Sequence, residues 1–167
     1  MHKSHTHYVE WFLQYLAITG CDSYLELGVW IGTVFDRVPL TNKMGVDLVD
    51  RRGTKNDNQF FVGSTDDFFL QNKSTFDLIF IDASHHFENV KRDLDNSLKV
   101  LNQYGSIIVH DTDPIAEFFG TGATEDCYKI VDYIQSIPEL TSVTLPVGDV
   151  GLTICKRRDD RRMLYLI

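Results

Sequence analysis

What this sequence lacks removes several classes of protein. No apolar stretch outlasts a strand before Asp, Gly or Pro interrupts it, so nothing approaches the roughly 20 apolar residues of a membrane span. The opening MHKSHTHYVEW passes straight into an amphipathic pattern without the apolar stretch of a secretory signal. Cysteine is scarce, scattered and odd in number (Cys21, Cys127, Cys155), which fits a reducing cytoplasm. Positive charge is in deficit: 16 Lys and Arg against 24 Asp and Glu leave a formal charge of −8. Nucleic-acid affinity rests on cations that neutralise phosphates, so the expected partner is a small molecule, with neither nucleic acid nor membrane. The local exception is KRRDDRR (Lys156 to Arg162), read as a solvated tail or else as an anion or partner contact, with the final MLYLI free to dock on a second subunit of a homo-oligomer.

The chain's 167 residues, 43% of them apolar, suffice for one compact domain with a core. Repeats and low-complexity tracts are absent. Short β-branched runs alternate with helical periodicity, the signature of an α/β fold. Tyr8, Trp11, Phe12, Tyr15 and Leu16 predict an N-terminal helix over 6–19, ahead of a core over about 20–156 and a basic tail over 156–167. Strands are expected over Ser23–Val29, Lys43–Val49 and Gln59–Gly63, with a short helix after Gly32. Ser64 and Asp67 make a capping box for a helix over DDFFL. The run FDLIFID (Phe76 to Asp82) matches a central parallel strand buried on both faces. A helix over Glu88–Asn102, with Gly105 as its C-terminal cap, precedes a fifth strand over Ser106–Asp111, and a helix capped by Thr124 follows. TSVTLPV and VGLTICK are too close in sequence to be anything but an antiparallel hairpin. The sum is a Rossmann-like, doubly wound seven-stranded sheet, mostly parallel, with helices on both faces.

Ligands of such sheets bind beyond the carboxyl ends of the strands. Here those ends read Glu26 and Gly28, Asp47, Gly63 and Ser64, Asp82, then His110 and Asp111. The turn ELGVWIG has glycines at 28 and 32 with Trp30 between them, not the G-x-G-x-x-G that closes on a pyrophosphate. Asp47, 19 residues beyond Gly28, suits ribose hydroxyls and so any adenosine ligand. Glu26 repels phosphate but attracts the ammonium and sulfonium charges of S-adenosylmethionine, so a cationic ligand is favoured. Asp82 and Asp111 end strands that should be neighbours. Two carboxylates that close call for a counter-charge, such as a divalent ion with Mg²⁺ as first choice, which would also lower the pKa of a substrate hydroxyl. His110 is a further ligand candidate, better suited to a transition metal. His85 stands where it reaches a bound hydroxyl as general base.

Each of these residues also has a plainer reading. An Asp at a strand end is often a turn or cap residue, His86 reads as a surface residue, Gly28 and Gly32 serve a tight turn, and Trp11 and Trp30 pack. The coincidence at five strand ends argues for a site.

With these residues in view, the chain resembles class I S-adenosylmethionine-dependent methyltransferases, in particular the small-molecule O-methyltransferases related to macrocin and cephalosporin-tailoring enzymes. The likeness spans about residues 20 to 156 and is most specific over Phe76 to Thr112, where an Asp-x-x-His loop, a helix beginning Glu-x-Val and a Gly-then-His-Asp strand follow in order. YLELGVWIGTVF is similar to the family's first motif, with a bulky aromatic at Trp30. The resemblance implies a cofactor site of Glu26, Gly28, Trp30, Gly32, Asp47, Gly63, Ser64, Asp66 and Asp82, with Ser64 and Asp66 at the adenine edge. It also implies metal ligands at Asp82, His110 and Asp111, where relatives commonly have an acidic residue in place of His110. His85 would be the base. The implied reaction is methyl transfer to a hydroxyl of a small molecule, with the long N-terminal segments and lids of relatives absent. A different class, a non-catalytic S-adenosylmethionine- or S-adenosylhomocysteine-binding regulatory or assembly protein, fits the short lidless chain. A nucleic-acid methyltransferase reading through the Arg-rich tail fits the acidic balance worst.

Overall fold

The computed structural model describes residues 6–18, 20–53 and 59–158. In chain order these form α1 (Thr6–Ile18), β1 (Tyr24–Leu27), β2 (Lys43–Asp47), β3 (Phe60–Val62), α2 (Thr65–Gln71), β4 (Phe76–Ile81), α3 (Phe87–Val100), β5 (Leu101–His110), α4 (Ile130–Ser136), β6 (Leu140–Leu145) and β7 (Leu152–Arg157). The seven strands make one sheet in the order β3-β2-β1-β4-β5-β7-β6. Pairing is parallel from β3 to β5, while β7 runs antiparallel to both β5 and β6. The expected doubly wound sheet with its terminal antiparallel hairpin is therefore present.

Strand β4 shows why the sheet is central. Ile79 and Ile81 point into a cluster with Val90 and Leu94 of α3 and Ile130 and Ile134 of α4. Leu78 and Phe80 point the other way, against Val9, Leu13 and Ala17 of α1 and the ring of Phe35. Both faces are covered, so the strand reads as a continuous apolar run rather than an alternating one. Fully burying each such side chain contributes about 1.5–3 kcal/mol.

Several local expectations hold and others are corrected. Ser64 caps α2, accepting from the Asp67 amide at 3.1 Å and donating its hydroxyl to the Asp67 carboxylate at 2.7 Å. The helix expected after Gly32 is only a single 3₁₀ turn, Phe35–Arg37, because Val38, Pro39 and Leu40 lead directly to β2. Gly105 does not cap α3. The helix ends at Val100 and β5 begins at once, with Leu101 opposite Phe76 and the Asn102 amide donating to Asp77 at 2.7 Å. Gly105 lies inside β5 beside a register shift, where a Cβ would meet the Asp77 carbonyl oxygen at 2.9 Å and Leu101 at 2.6 Å. An apolar pairing and a side-chain bond thus override the glycine signal. Thr124 caps nothing either: its hydroxyl donates to the Phe118 carbonyl, and a 3₁₀ turn, Cys127–Lys129, leads into α4. The side chains of Tyr8, Trp11 and Tyr15, and everything after Arg158, including the MLYLI segment, lie outside the described residues. No described helix is long and apolar enough to cross a membrane.

Candidate active site

The chain turns sharply as it leaves β1. Gly28, at φ +88°, donates its amide to the Val46 carbonyl, and a Cβ there would lie 2.2 Å from the Asp82 carbonyl oxygen. Only glycine permits this approach of the first turn to the end of β4. Trp30 follows at φ +53°, an unusual conformation for so bulky a residue, fixed by its amide donating to the Asp47 carboxylate at 2.8 Å. Arg51 stands over the Trp30 ring, 4.9 Å from its centroid, and 3.6 Å from Asp47. Left-handed backbone recurs at Asp111 (φ +60°) and Glu125 (φ +39°), so strain gathers around this edge of the sheet, as it does at functional sites.

These turns surround a cleft of about 490 Å³, within the range of small-molecule sites. Glu26, Gly28, Trp30, Asp47, Asp82 and His85 all line it. A hollow of about 200 Å³ shares Gly28, Asp47 and Ala83 with the cleft and extends it over Gly63, Ser64 and Asp66. Of the residues read from sequence for the cofactor, Gly32 alone borders neither space. It sits behind the turn, where a Cβ would be 2.9 Å from both Arg52 and Asp36. Glu26 is 1% exposed, and its carboxyl accepts from the hydroxyl of the equally buried Tyr24. Burial pushes that carboxyl well above the usual range, opposed by the Tyr24 hydrogen bond.

Deeper at the same edge, Asp82 follows β4, His110 ends β5, and Asp111 comes next, 4% exposed. His110 Nδ1 lies 3.2 Å from a carboxylate oxygen of Asp82 and 3.2 Å from one of Asp111. Burial resists charge on this imidazole, but the flanking carboxylates prevail and raise its pKa to about 10. Its Nε2 is buried without a partner. His85 reaches in from the loop after β4, with Nε2 3.2 Å from Asp111 and Nδ1 3.4 Å from the Gly122 carbonyl oxygen. Both nitrogens of His85 therefore face acceptors. A neutral imidazole carries its proton on one ring nitrogen, so as the Nε2–H tautomer His85 donates to Asp111, and with the proton on Nδ1 it leaves the Nε2 lone pair for a metal ion. One ligand atom from each of Asp82, His85 and Asp111 fits within 4.8 Å of the others, spacing that a single ion can span. The donor set fits a divalent ion, and it draws in His85, while His110 bridges the two carboxylates. His86 is 65% exposed and pairs with Glu125.

Sequence reading missed Tyr24, Arg51 and the Gly122 carbonyl. Tyr24 was within reach, because residues two apart share a face of a strand, and Glu26 had already been singled out. Arg51 and Gly122 come from loops whose path sequence does not fix.

A mixed seven-stranded sheet of this order, with its cleft over the first turn, is a methyltransferase fold. The profile of the family described as "Methyltransferase domain" matches residues 17–112, more than half of the chain, and the chain belongs to that family. Among solved structures, the chain is similar to cofactor-bound Rv0187 from MTB, at 16% identity and TM-score 0.73, over 95% of this chain and 83% of that one. It is similar also to the O-methyltransferase from Bacillus cereus in complex with SAH, at 17% identity and TM-score 0.65, over 91% and 81%. The N-methyltransferase NodS from Bradyrhizobium japonicum WM9 matches at 15% identity and TM-score 0.65, over 92% and 96%. None of the curated proteins matches the chain.

Proposed function

We propose that this methyltransferase uses S-adenosylmethionine to methylate a hydroxyl of a small molecule, with a divalent ion held by Asp82 and Asp111. The observation that carries the proposal is the convergence of Asp82, His85 and Asp111 beside a cleft that also contains Glu26, Gly28 and Asp47. The SAH-bound Bacillus relative supports the choice of cofactor. When bound, S-adenosylmethionine supplies a methyl group on a sulfonium, and the ion supplies positive charge that lowers the pKa of a nearby hydroxyl.

The chain's own residues do the rest. Glu26 presents a carboxylate to the ammonium end of the cofactor, Asp47 accepts from the ribose hydroxyls, and Gly28 leaves room for the backbone to approach. Trp30 and Gly32 shape this turn, while Gly63, Ser64 and Asp66 border the adenine side. His85 takes the proton of the acceptor hydroxyl, and Asp111, 3.2 Å away, steadies the imidazolium that results. His110 serves as an additional ligand or as the bridge between the carboxylates. Most of the acceleration comes from positioning and charge neutralisation. The chain works as one domain in a reducing cytoplasm, consistent with its three free cysteines, and Trp30 and Ile31, 62% and 51% exposed, leave the rim open to an acceptor or a second subunit.

The test is release of S-adenosylhomocysteine in the presence of a panel of hydroxylated small molecules, before and after chelation. Turnover should vanish with EDTA and return with Mg²⁺ or Mn²⁺. Undiminished turnover in EDTA would remove the metal from the proposal, and binding of cofactor without turnover on any acceptor would favour the non-catalytic alternative.

A further inference from the structure

Glu26 lines the cleft, and burial works against the charge of its carboxylate. Asp82 and Asp36 act on it in the same direction. Lys43, the nearby cation, has its ammonium engaged by the carbonyls of Phe35 at 2.6 Å and Val38 at 3.0 Å. The direct donor to the Glu26 carboxyl is the Tyr24 hydroxyl. Tyr24 is 0% exposed, its ring stacks on Phe35 with centroids 6.3 Å apart, and it shares the Phe35 side of β1 with Glu26. A tyrosine buried for packing alone has no need of a hydroxyl, and phenylalanine would fill the same space without a polar atom to satisfy. The hydroxyl points along the strand at the group that faces the cleft.

We propose that Tyr24 is a positioning residue for the cofactor: its hydroxyl fixes and stabilises the Glu26 carboxylate that receives the amino-acid end of the ligand. This rests on the S-adenosylmethionine reading of the cleft. Tyr24 is not among the residues that line the cleft, and it acts through Glu26. Its loss should therefore be felt by ligands carrying the ammonium group and not by those that lack it.

Calorimetry on the full chain tests this with two probes, S-adenosylhomocysteine and 5′-methylthioadenosine, which keeps the nucleoside and lacks the amino-acid end. Tyr24→Phe should weaken S-adenosylhomocysteine about tenfold, the effect of one hydrogen bond to a charged group, and leave 5′-methylthioadenosine within about twofold. Glu26→Gln should show the same selectivity whether or not Tyr24→Phe folds, and adding Tyr24→Phe to it should cost nothing more. Equal loss of both probes in Tyr24→Phe, or unchanged affinity for S-adenosylhomocysteine in either single variant, would overturn the proposal. If the wild-type chain binds S-adenosylhomocysteine no better than Tyr24→Phe because neither binds at all, the cofactor reading of the cleft falls instead.

Discussion

Strand β4 carries an aspartate at each end of its run, and the two experience opposite surroundings. At the amino end, Asp77 accepts from the amides of Asp22 (2.9 Å) and Ser23 (3.1 Å), the Ser23 hydroxyl (2.9 Å) and the Asn102 side chain (2.7 Å). Partial burial opposes its charge, yet these donors hold its pKa below the usual range. At the carboxyl end, Asp82 shares with Asp111 a histidine 3.2 Å from each and, among the described residues, has no such set of fixed donors. A carboxylate saturated by the fold stitches β1, β4 and β5 together. A pair of carboxylates left to compete for one imidazole is available to a cation from outside. The same residue type is structural at one edge and functional at the other because of what surrounds it.

The contrast is sharpest in variants. Asp82→Ala or Asp111→Ala should reduce turnover beyond detection while cofactor affinity, read by calorimetry, stays within about tenfold; turnover near wild type would make these carboxylates bystanders. Next in size, His85→Ala should slow turnover by about 10² to 10⁴. Manganese binding followed by electron paramagnetic resonance separates its two roles, since retained binding marks a base and lost binding marks a ligand. Asp77→Ala should instead cost about 2–3 kcal/mol in urea unfolding, by orphaning several donors, with the folded protein as active as before. An Asp77 variant that folded normally but lost activity would erase the distinction between the edges.

The smallest effect concerns Asp93 on α3, 2% exposed and bordering the smaller hollow. Burial raises its pKa to about 6, so the folded state favours the protonated form. Its contribution to stability is present at low pH and is lost as pH rises from about 4 to about 6. Asp93→Asn should therefore gain stability relative to wild type as pH increases through that window. A difference between the two that is flat with pH would show that Asp93 titrates normally.

The fold was largely legible in the sequence because two-sided burial writes itself as β-branched runs, and FDLIFID announced the central strand almost residue for residue. The misplaced boundaries have physical causes. Gly105 looked like a helix stop because its role, clearance beside Asp77 and Leu101, depends on a neighbouring strand. In the site, strand-end residues were readable because topology alone carries Glu26, Asp47 and Asp82 to one edge. The pairing of His85 with Asp111, the bridging position of His110 and the Tyr24–Glu26 bond were not, since they depend on side-chain directions and on a loop that brings Gly122 to His85.

The central claim is that one cleft holds the cofactor and an ion side by side, and a crystal grown with S-adenosylhomocysteine and Mn²⁺ tests it most directly. The expected result is adenosine density with its ribose on Asp47 and an anomalous peak between Asp82 and Asp111. Nucleoside bound elsewhere, or a peak away from both carboxylates with the cleft empty, would contradict it.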